Sequence, residues 1–226
     1  MKLSVIVPML NEERAIGATL GAINRGAPGA EVVVVDGGSS DGSVERAAGR
    51  NARILETGRG RARQMNAGAA VAHGDALVFV HADTIVPVTF ASDIAAALRD
   101  SAVAGGRFDV KLDEASLAMR LLGKLISVRS RAMRSATGDQ AIFVRRDVFS
   151  AMGGFAEIEL CEDVDFARRL RCHGRVACLR SKVITSARRW RQNGIMRTVI
   201  KMWLIKSLFL AGVSPAWLRR HYADTR

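Results

Sequence analysis

The fold of this chain is decided by the stretch Gly74-Asp75-Ala76-Leu77-Val78-Phe79-Val80-His81-Ala82-Asp83-Thr84. An apolar run of strand length ends there in an acidic residue within a short polar turn. Open α/β sheets carry metal and phosphate ligands to the carboxyl ends of their strands in this way. Asp83 therefore has two interpretations. It either binds a divalent cation that holds a diphosphate, or it caps the next element and hydrogen-bonds a loop.

Apolar strands alternate with helical segments on the N-terminal side of this stretch. Three more strands are predicted at Leu3 to Val7, at Glu31 to Asp36 and at Ile54 to Leu55. Helical spacing of apolar residues, or an alanine-rich segment, separates one strand from the next. Such alternation predicts an α/β fold with a doubly wound, mostly parallel sheet flanked by helices.

Polar or turn-forming residues follow these strands. Pro8, Asp36, Asp41 and Asp83 lie at or just after strand ends, and parallel strands would bring them to one edge of the sheet. This convergence favours a ligand-binding role for Asp83, because separate structural accidents are not expected to cluster. The glycines after Asp36 do not spell G-x-G-x-x-G, so the dinucleotide-binding fingerprint is absent.

The segments beyond residue 87 continue the pattern. The predicted elements are a helix at Ile94 to Leu98, a strand at Val103 to Val110, a helix at Leu117 to Arg134, a turn and strand at Gly138 to Val144, a short helix at Phe149 to Phe155, a helix at Glu162 to Leu170, a strand at Val176 to Leu179 and a helix at Ile195 to Leu210. A length of 226 residues suits one large core. We predict a single domain at residues 1–190, with halves 1–110 and 111–190, and a basic helical extension at residues 191–226.

Two of the predicted helices are amphipathic and basic. The helix at Leu117 to Arg134 either lies on a membrane surface or packs on the domain with its cations exposed. Basic residues interrupt the apolar segment Ile195 to Leu210, which excludes a transmembrane helix. That segment is either an interfacial helix, with Trp203, Lys201 and Lys206 at the lipid boundary, or a helix buried against the sheet or a second subunit.

The net charge of +12 is concentrated in the last quarter of the chain. From Arg168 to Arg226 there are 15 basic residues and one acidic residue. This asymmetry indicates an anionic partner, which is nucleic acid, phosphates or a membrane face, or else a solvated basic face. Nucleic acid is disfavoured because Tyr222 is the single tyrosine and no series of stacking aromatics is present.

The cysteines and the N-terminus bear on location. Cys161, Cys172 and Cys178 are odd in number and lack metal-binding spacing, as expected for reduced thiols in a cytosolic protein. The apolar run from Met1 to Pro8 is too short for a signal peptide. We therefore expect a cytoplasmic location, and the basic helices leave open peripheral attachment to the inner face of the membrane.

Several short motifs, taken in their order and spacing, resemble the family 2 glycosyltransferases with the GT-A fold. They are Val5-Ile6-Val7-Pro8-x-x-Asn11-Glu12, Val34-Val35-Asp36-Gly37-Gly38-Ser39-Ser40-Asp41-Gly42-Ser43, Asn66-Ala67-Gly68, His81-Ala82-Asp83 and Glu162-Asp163. The match runs from Leu3 to about Trp190 and looks most like the short bacterial branch without multiple transmembrane helices. The resemblance implies an inverting enzyme that moves a sugar from a nucleotide-diphospho-sugar to an acceptor hydroxyl.

The resemblance also implies roles for the matched positions. Binding of the nucleotide-sugar falls to Pro8, Glu12, Asp36, Asp41, Arg61, Asp83, Arg188 and Arg189, and binding of the acceptor falls to Gly138, Asp139, Gln140, Glu162 and Trp190. Asp163 matches the catalytic base, which takes the proton of the acceptor hydroxyl as the hydroxyl attacks the anomeric carbon. The segment Arg188-Arg189-Trp190 resembles only the end of the motif Q-x-x-R-W, because the glutamine is missing.

A divalent metal is the cofactor that the resemblance implies. Asp83 matches the last acid of the D-x-D motif, whose metal ion offsets the charge on the leaving diphosphate. The first acid of that motif is replaced here by His81. Neutral imidazole ligates Mn²⁺, whereas Mg²⁺ prefers oxygen. We expect Mn²⁺ or Mg²⁺ at Asp83, with His81 either as a second metal ligand or as a neighbour that contacts only the substrate.

Two function hypotheses follow. The leading one is an inverting glycosyltransferase that uses a nucleotide-diphospho-sugar, preferably a UDP-sugar, and an unidentified acceptor. A lipid-linked acceptor would explain the two basic helices better than a soluble one. The alternative, motivated by His81, is a non-catalytic nucleotide-sugar-binding protein. An anionic membrane surface is a further expected partner, nucleic acid is not, and a homodimer is left open.

Overall fold

The computed structural model of the protein describes residues 1–133 and 135–221. In this part of the chain the strands are β1 (Leu3–Met9), β2 (Glu31–Asp36), β3 (Arg53–Glu56), β4 (Ala76–Phe79), β5 (Thr84–Ile85), β6 (Val103–Leu112), β7 (Ile142–Arg145) and β8 (Arg175–Thr185). The α-helices are α1 (Glu13–Gly26), α2 (Ser43–Ala47), α3 (Arg61–Val71), α4 (Phe90–Leu98), α5 (Leu117–Ala132), α6 (Arg146–Ala151), α7 (Glu162–Leu170), α8 (Arg188–Asn193), α9 (Ile195–Leu210) and α10 (Pro215–Arg220). A 3-10 turn at Gly138–Gln140 precedes β7.

The strands form one eight-stranded sheet in the order β3-β2-β1-β4-β7-β6-β8-β5. The first four strands of this order are parallel, as are β6 and β8. Strand β7 is antiparallel to both of its neighbours, and the short β5 is antiparallel to β8. The predicted α/β fold with a mostly parallel sheet flanked by helices is confirmed.

Both faces of the sheet are covered, which is why β1, β2 and β4 are almost continuously apolar. Along β1, Val5 and Val7 pack into one core cluster together with Leu20 of α1. Ile6 points to the other face, where it packs in a second cluster with Met65 of α3. This alternation follows from the two-residue period of a strand.

Helix α3 lies directly on the sheet because Gly68 carries no side chain. A β-carbon at this position would lie 2.5 Å from Ile6 Cγ2 and 2.9 Å from Val35 Cγ2, closer than real contacts allow. The close approach sets the position of the N-terminus of α3, where Arg61 lies at the carboxyl ends of the parallel strands.

Helix α9 has the bounds predicted for it, with one face packed against the protein and the other exposed. Val199 and Met202 pack against the main core, and Ile205 is buried in a small third cluster that includes Cys161. The opposite face exposes Met196, Ile200, Trp203, Leu204 and Leu210. Among the residues described, no helix has the length and apolar character needed to cross a membrane.

Several predicted elements have different bounds in the structure. The short helix predicted at Phe149 to Phe155 is α6, which ends at Ala151 because two glycines with positive φ follow. The strand predicted at Val176 to Leu179 extends to Thr185, because a bulge accommodates Arg180 and Ser181 and pairing with β6 then resumes. The helix predicted to end at Arg134 ends at Ala132.

Arg134 lies outside the described residues. So do residues 222–226 of the predicted extension, including Tyr222.

Candidate active site

A cavity of about 170 Å³, here called the first cavity, opens at the carboxyl edge of the sheet. It lies between the turn after β4, the 3-10 turn, the start of α7, and helices α8 and α9. The structure brings together in its lining the predicted residues Arg61, His81, Asp83, Gly138, Asp139, Glu162, Asp163, Arg188, Arg189 and Trp190. Residues far apart in sequence thus share one polar concavity.

Pro8, Asp36 and Asp41 do not line the first cavity. Pro8 is buried in β1. The Asp36 carboxylate accepts hydrogen bonds from the backbone N–H groups of Gly38 and Ser39, both at 2.9 Å, and so shapes the turn after β2. These residues build a neighbouring loop at the same edge of the sheet.

Asp41 stabilises the start of α2 in that loop. Its side chain accepts a hydrogen bond from the Ser43 hydroxyl and a 3.3 Å hydrogen bond from the backbone N–H of Glu13. Burial alone would raise the pKa of Asp41, but these hydrogen bonds outweigh burial and hold the pKa below its ordinary value. The carboxylate is therefore ionised and already engaged by the protein.

Gln140, predicted to contact the acceptor, is fully buried and does not reach the first cavity. Its side-chain Oε1 accepts hydrogen bonds from the backbone N–H and the hydroxyl of Thr137, each at 3.1 Å. This capping interaction closes the 3-10 turn. The structure thus assigns Gln140 to the shape of the turn, because its amide oxygen is used within the loop.

Arg188 joins three parts of the chain at the first cavity. Its Nη2 donates a 2.8 Å hydrogen bond to Glu12 Oε1 and lies 3.7 Å from Asp83 Oδ2. Burial alone would lower the pKa of Arg188, but the hydrogen bond from Arg188 to Glu12 and the charges of Glu12, Asp83 and Asp113 raise it above its ordinary value. Glu12 is buried and does not line the cavity, so it acts on the site through Arg188.

Two backbone N–H groups hold the Asp163 carboxylate. Gly138 N donates to Asp163 Oδ2 at 2.8 Å, and Val164 N donates to Asp163 Oδ1 at 2.7 Å. Asp163 lies in the first turn of α7, which begins after Cys161 in the left-handed conformation with φ of 66°. Each carboxylate oxygen keeps a further lone pair for a substrate hydroxyl. The group is oriented and able to accept a proton.

His81 packs against the same turn. A β-carbon built on Gly138 would lie 2.5 Å from His81 Nε2, so the imidazole occupies the space beside this glycine. Gly138 in turn donates its N–H to Asp163. The residue that replaces the first acid of D-x-D therefore lies beside the turn that orients Asp163.

A metal site made of protein ligands alone is not present in the part of the chain that the structure describes. There, no three His, Cys, Asp or Glu side chains form a group able to hold a metal ion. Asp83 and His81 supply one carboxylate and one imidazole to the first cavity. This donor set is suited to an ion that takes its other ligands from a substrate.

Lys206 also lines the first cavity, which agrees with the alternative that α9 packs against the protein rather than the one that places its lysines at a lipid boundary. Burial lowers its pKa, as does the charge of Arg129, whereas Asp163 and Asp139 act in the opposite direction. The physical reason is helical geometry, since Met202, Ile205 and Lys206 lie on one face of α9 and all line the cavity. The helical spacing of these three residues in the sequence was the signal that could have predicted this position of Lys206. Thr137, Thr185 and Ser186 are further lining residues that the motifs did not indicate.

The sequence was compared with protein families and with curated proteins. The Glycosyl transferase family 2 profile matches residues 4–153, which is more than half of the chain. Among curated proteins, no sequence match was found.

Solved structures show the same fold at low sequence identity. S. aureus TarS 1-349 in complex with UDP-GlcNAc is 21% identical, with a TM-score of 0.67 over 82% of this chain and 58% of TarS 1-349. The mannosyltransferase PcManGT from Pyrobaculum calidifontis, in complex with GDP-Man and Mn²⁺, is 19% identical, with a TM-score of 0.67 over 99% of this chain and 65% of its own.

A third similar structure is glucosyl-3-phosphoglycerate synthase from Mycobacterium tuberculosis, in complex with Mn²⁺, UDP and phosphoglyceric acid. It is 20% identical, with a TM-score of 0.64 over 94% of this chain and 79% of its own. The present chain therefore spans 58% of TarS 1-349 and most of the synthase. At these identities the similarity establishes the fold.

Proposed function

The chain belongs to glycosyltransferase family 2, with the GT-A fold, and from this membership we propose that it is an inverting enzyme. It transfers a sugar from a nucleotide-diphospho-sugar, preferably a UDP-sugar, to an acceptor hydroxyl. The observation that carries the proposal is the first cavity itself. It places the oriented Asp163 carboxylate in one concavity with Asp83 and Arg188.

The donor diphosphate is assigned to the Asp83 and Arg188 side of the cavity. Three guanidinium groups, those of Arg61, Arg188 and Arg189, line the first cavity and can contact phosphate oxygens. The loop built by Asp36 and Asp41 at the same edge of the sheet is assigned to the nucleoside. Similar structures contain UDP-GlcNAc, GDP-Man and UDP, which supports a nucleotide-sugar donor.

The residues present fit a divalent ion that shares its coordination with the donor. Asp83 would hold it through a carboxylate oxygen and His81 through an imidazole nitrogen, a combination that favours Mn²⁺ over Mg²⁺. The ion would supply positive charge against the leaving diphosphate. Two similar structures contain Mn²⁺.

Asp163 is the base in the proposed displacement. The acceptor oxygen attacks the anomeric carbon while its proton passes to the Asp163 carboxylate, and the bond to the diphosphate breaks on the opposite side of the sugar. The N–H groups of Gly138 and Val164 fix the carboxylate in position. Asp139, Glu162 and Trp190 line the same cavity and are assigned to the acceptor.

The exposed faces of α5 and α9 support attachment to an anionic membrane and hence a lipid-linked acceptor. On α5, Leu117, Leu121, Leu125 and Val128 are all more than half exposed. Basic residues accompany them on both helices. Apolar area together with cations is the combination that binds an anionic bilayer surface. This would place the enzyme on the inner face of the membrane.

The test is release of nucleoside diphosphate from a panel of UDP- and GDP-sugars with Mn²⁺ or Mg²⁺. The acceptors are sugars, sugar phosphates and a membrane lipid extract. We expect turnover by the wild type, and loss of about 10²- to 10⁴-fold in Asp163→Asn, as for removal of a general base. Asp83→Ala should weaken donor binding, and Asp147→Asn, at an exposed position on α6, is the matched control.

The outcomes separate the two function hypotheses. Normal turnover by Asp163→Asn with an active acceptor would show that Asp163 is not the base. Calorimetric binding of a UDP-sugar without transfer or hydrolysis under any condition would favour the non-catalytic binding protein.

A further inference from the structure

A second cavity, of about 140 Å³, adjoins the first one between α5, α7 and α9. Lys206 and Val164 line both cavities. Three more cations, Arg129, Arg168 and Arg171, complete the charged part of its lining. No acidic side chain of the described residues lines it. The second cavity therefore has a strongly positive interior next to the proposed base.

Two of these cations are partly buried and have no counter-charge in contact. In the described part of the chain, neither Arg129 nor Lys206 takes part in an ion pair. Arg129 Nε is buried and has no hydrogen-bond partner there, and Arg129 Nη2 makes only a 3.5 Å contact with Ser130 Oγ. Buried donors without partners are costly to a folded protein. These groups are arranged to receive an acceptor of hydrogen bonds.

The electrostatics agree with the geometry. Burial lowers the pKa of both Arg129 and Lys206, and the charge of Arg129 lowers that of Lys206 further. Asp139 and Asp163 attract both cations without forming an ion pair with either. An anion bound between Arg129 and Lys206 would offset both the burial of the two cations and their mutual repulsion.

Apart from Ser135 and Ser207, the remaining wall of the second cavity is apolar. Met133, Ala167, Trp203 and Leu210 line it, and Met133, Trp203 and Leu210 are each more than half exposed. A cavity that combines cations with apolar side chains suits an anionic head group attached to a carbon skeleton. A neutral sugar would leave the cations without a partner.

We propose that the second cavity binds a phosphate monoester group of the acceptor, held by Arg129 and Lys206. The inference rests on the proposed function, because it identifies the chemical class of the acceptor. Val164 links the two cavities and follows Asp163 directly in the chain. A phosphate held here would anchor the acceptor beside the base, with a hydroxyl elsewhere on the same molecule as the nucleophile.

Calorimetric titration of the full chain tests the proposal with two probes, inorganic phosphate and dodecyl phosphate below its micelle concentration. Dodecyl maltoside serves as the neutral control probe. The wild type should bind phosphate, and Arg129→Gln and Lys206→Gln should each weaken binding by about tenfold, the effect of losing one charge-assisted hydrogen bond. Arg53→Gln on the edge strand β3, an exposed site at the other end of the sheet, should bind as the wild type does.

The two probes identify the source of the phosphate. If dodecyl phosphate binds at least tenfold more tightly than inorganic phosphate, the acceptor is a lipid phosphate. Equal affinities support a small, soluble phosphorylated acceptor.

The proposal is overturned if the wild type binds neither probe, or if both cavity variants bind as tightly as the wild type while their circular dichroism shows a native fold. Equal binding of dodecyl maltoside and dodecyl phosphate would also overturn it, because the cations would then have no part in binding. These outcomes are separate from the failure of the proposed function, which is read from titration of the wild type with UDP and from the donor screen.

Discussion

Replacing Gly138 by alanine should impair the base through its contact with His81. The added β-carbon would lie 2.5 Å from His81 Nε2 and 2.9 Å from Cε1, whereas ordinary contact begins at 3.4 Å. The imidazole or the 3-10 turn must therefore move by about 0.9 Å. If the turn moves, the hydrogen bond from Gly138 N to Asp163 Oδ2, now 2.8 Å, lengthens to about 3.7 Å, which is outside the range of a hydrogen bond.

The size of the effect follows from the charge of the acceptor atom. A hydrogen bond to a charged group contributes about 1.5–3 kcal/mol. If the whole of that loss falls on the transition state, kcat falls by about 10- to 150-fold. The loss should appear in kcat rather than in donor affinity, because Gly138 positions the base. The assay is release of nucleoside diphosphate at saturating donor and acceptor.

Two further variants make the interpretation specific to the contact with His81. His81→Ala removes the ring, so the double variant Gly138→Ala/His81→Ala should be no slower than His81→Ala alone by more than about threefold. Gly21→Ala on α1 is the control for the glycine change itself, since the nearest atom to its β-carbon is Arg25 Nη1 at 3.4 Å. A wild-type kcat in Gly138→Ala would contradict this prediction. So would an equally large fall in kcat when Gly138→Ala is added to His81→Ala.

Three further predictions concern the ion pair, the thiols and acid stability. Arg188→Gln should lower the free energy of unfolding in urea by about 1–3 kcal/mol, because buried Glu12 loses its 2.8 Å hydrogen bond to Arg188. The Glu12→Gln/Arg188→Gln variant should recover part of the lost free energy of unfolding. Strictly additive losses in the two single variants and the double variant would contradict the pairing. Iodoacetamide at pH 8 should modify exposed Cys172 and spare Cys161, because burial and neighbouring acids raise the pKa of the Cys161 thiol to about 12. Equal labelling of the two cysteines, measured by mass spectrometry, would disprove this prediction. Burial opposes ionisation of Glu31, but its hydrogen bonds lower the pKa from 4.5 to about 2, so its stabilisation is present above pH 4.5 and is lost as the pH falls toward 2. Glu31→Gln should reduce the fall in melting temperature between pH 4.5 and about 2. If the melting temperature of the variant fell with pH as steeply as that of the wild type, Glu31 would not be the group responsible.

Local sequence patterns were sufficient for the parallel part of the sheet. Buried parallel strands are continuous apolar runs, so β1, β2 and β4 could be located directly. The convergence of strand ends at one edge then follows from topology alone. For this reason the position of Asp83 at the carboxyl edge of the sheet could be predicted from the sequence.

The remaining features depend on contacts between distant segments. Gln140 looked like a polar loop residue, and only the capping interaction with Thr137 shows that its side chain is turned inward. Lys206 sits in an apolar helix that could have faced lipid or protein, and its direction is set by packing of Ile205 in the third cluster. Side-chain direction in such cases is decided by tertiary packing, which a local pattern does not contain.

The order β4-β7-β6 in the sheet limits how this protein could be re-engineered. Strand β7 comes from the second half of the chain, yet it lies between two strands of the first half and is hydrogen-bonded to both. A chimaera joined near residue 110 would therefore exchange the central strand β7 together with the rest of the second half of the chain. The residues of β4 and β6 that pair with β7 would then have to match the new strand. Grafts that begin after β8 leave the sheet intact. The proposed acceptor site is thus best altered by transplanting α9, which provides a wall of both cavities without supplying a strand.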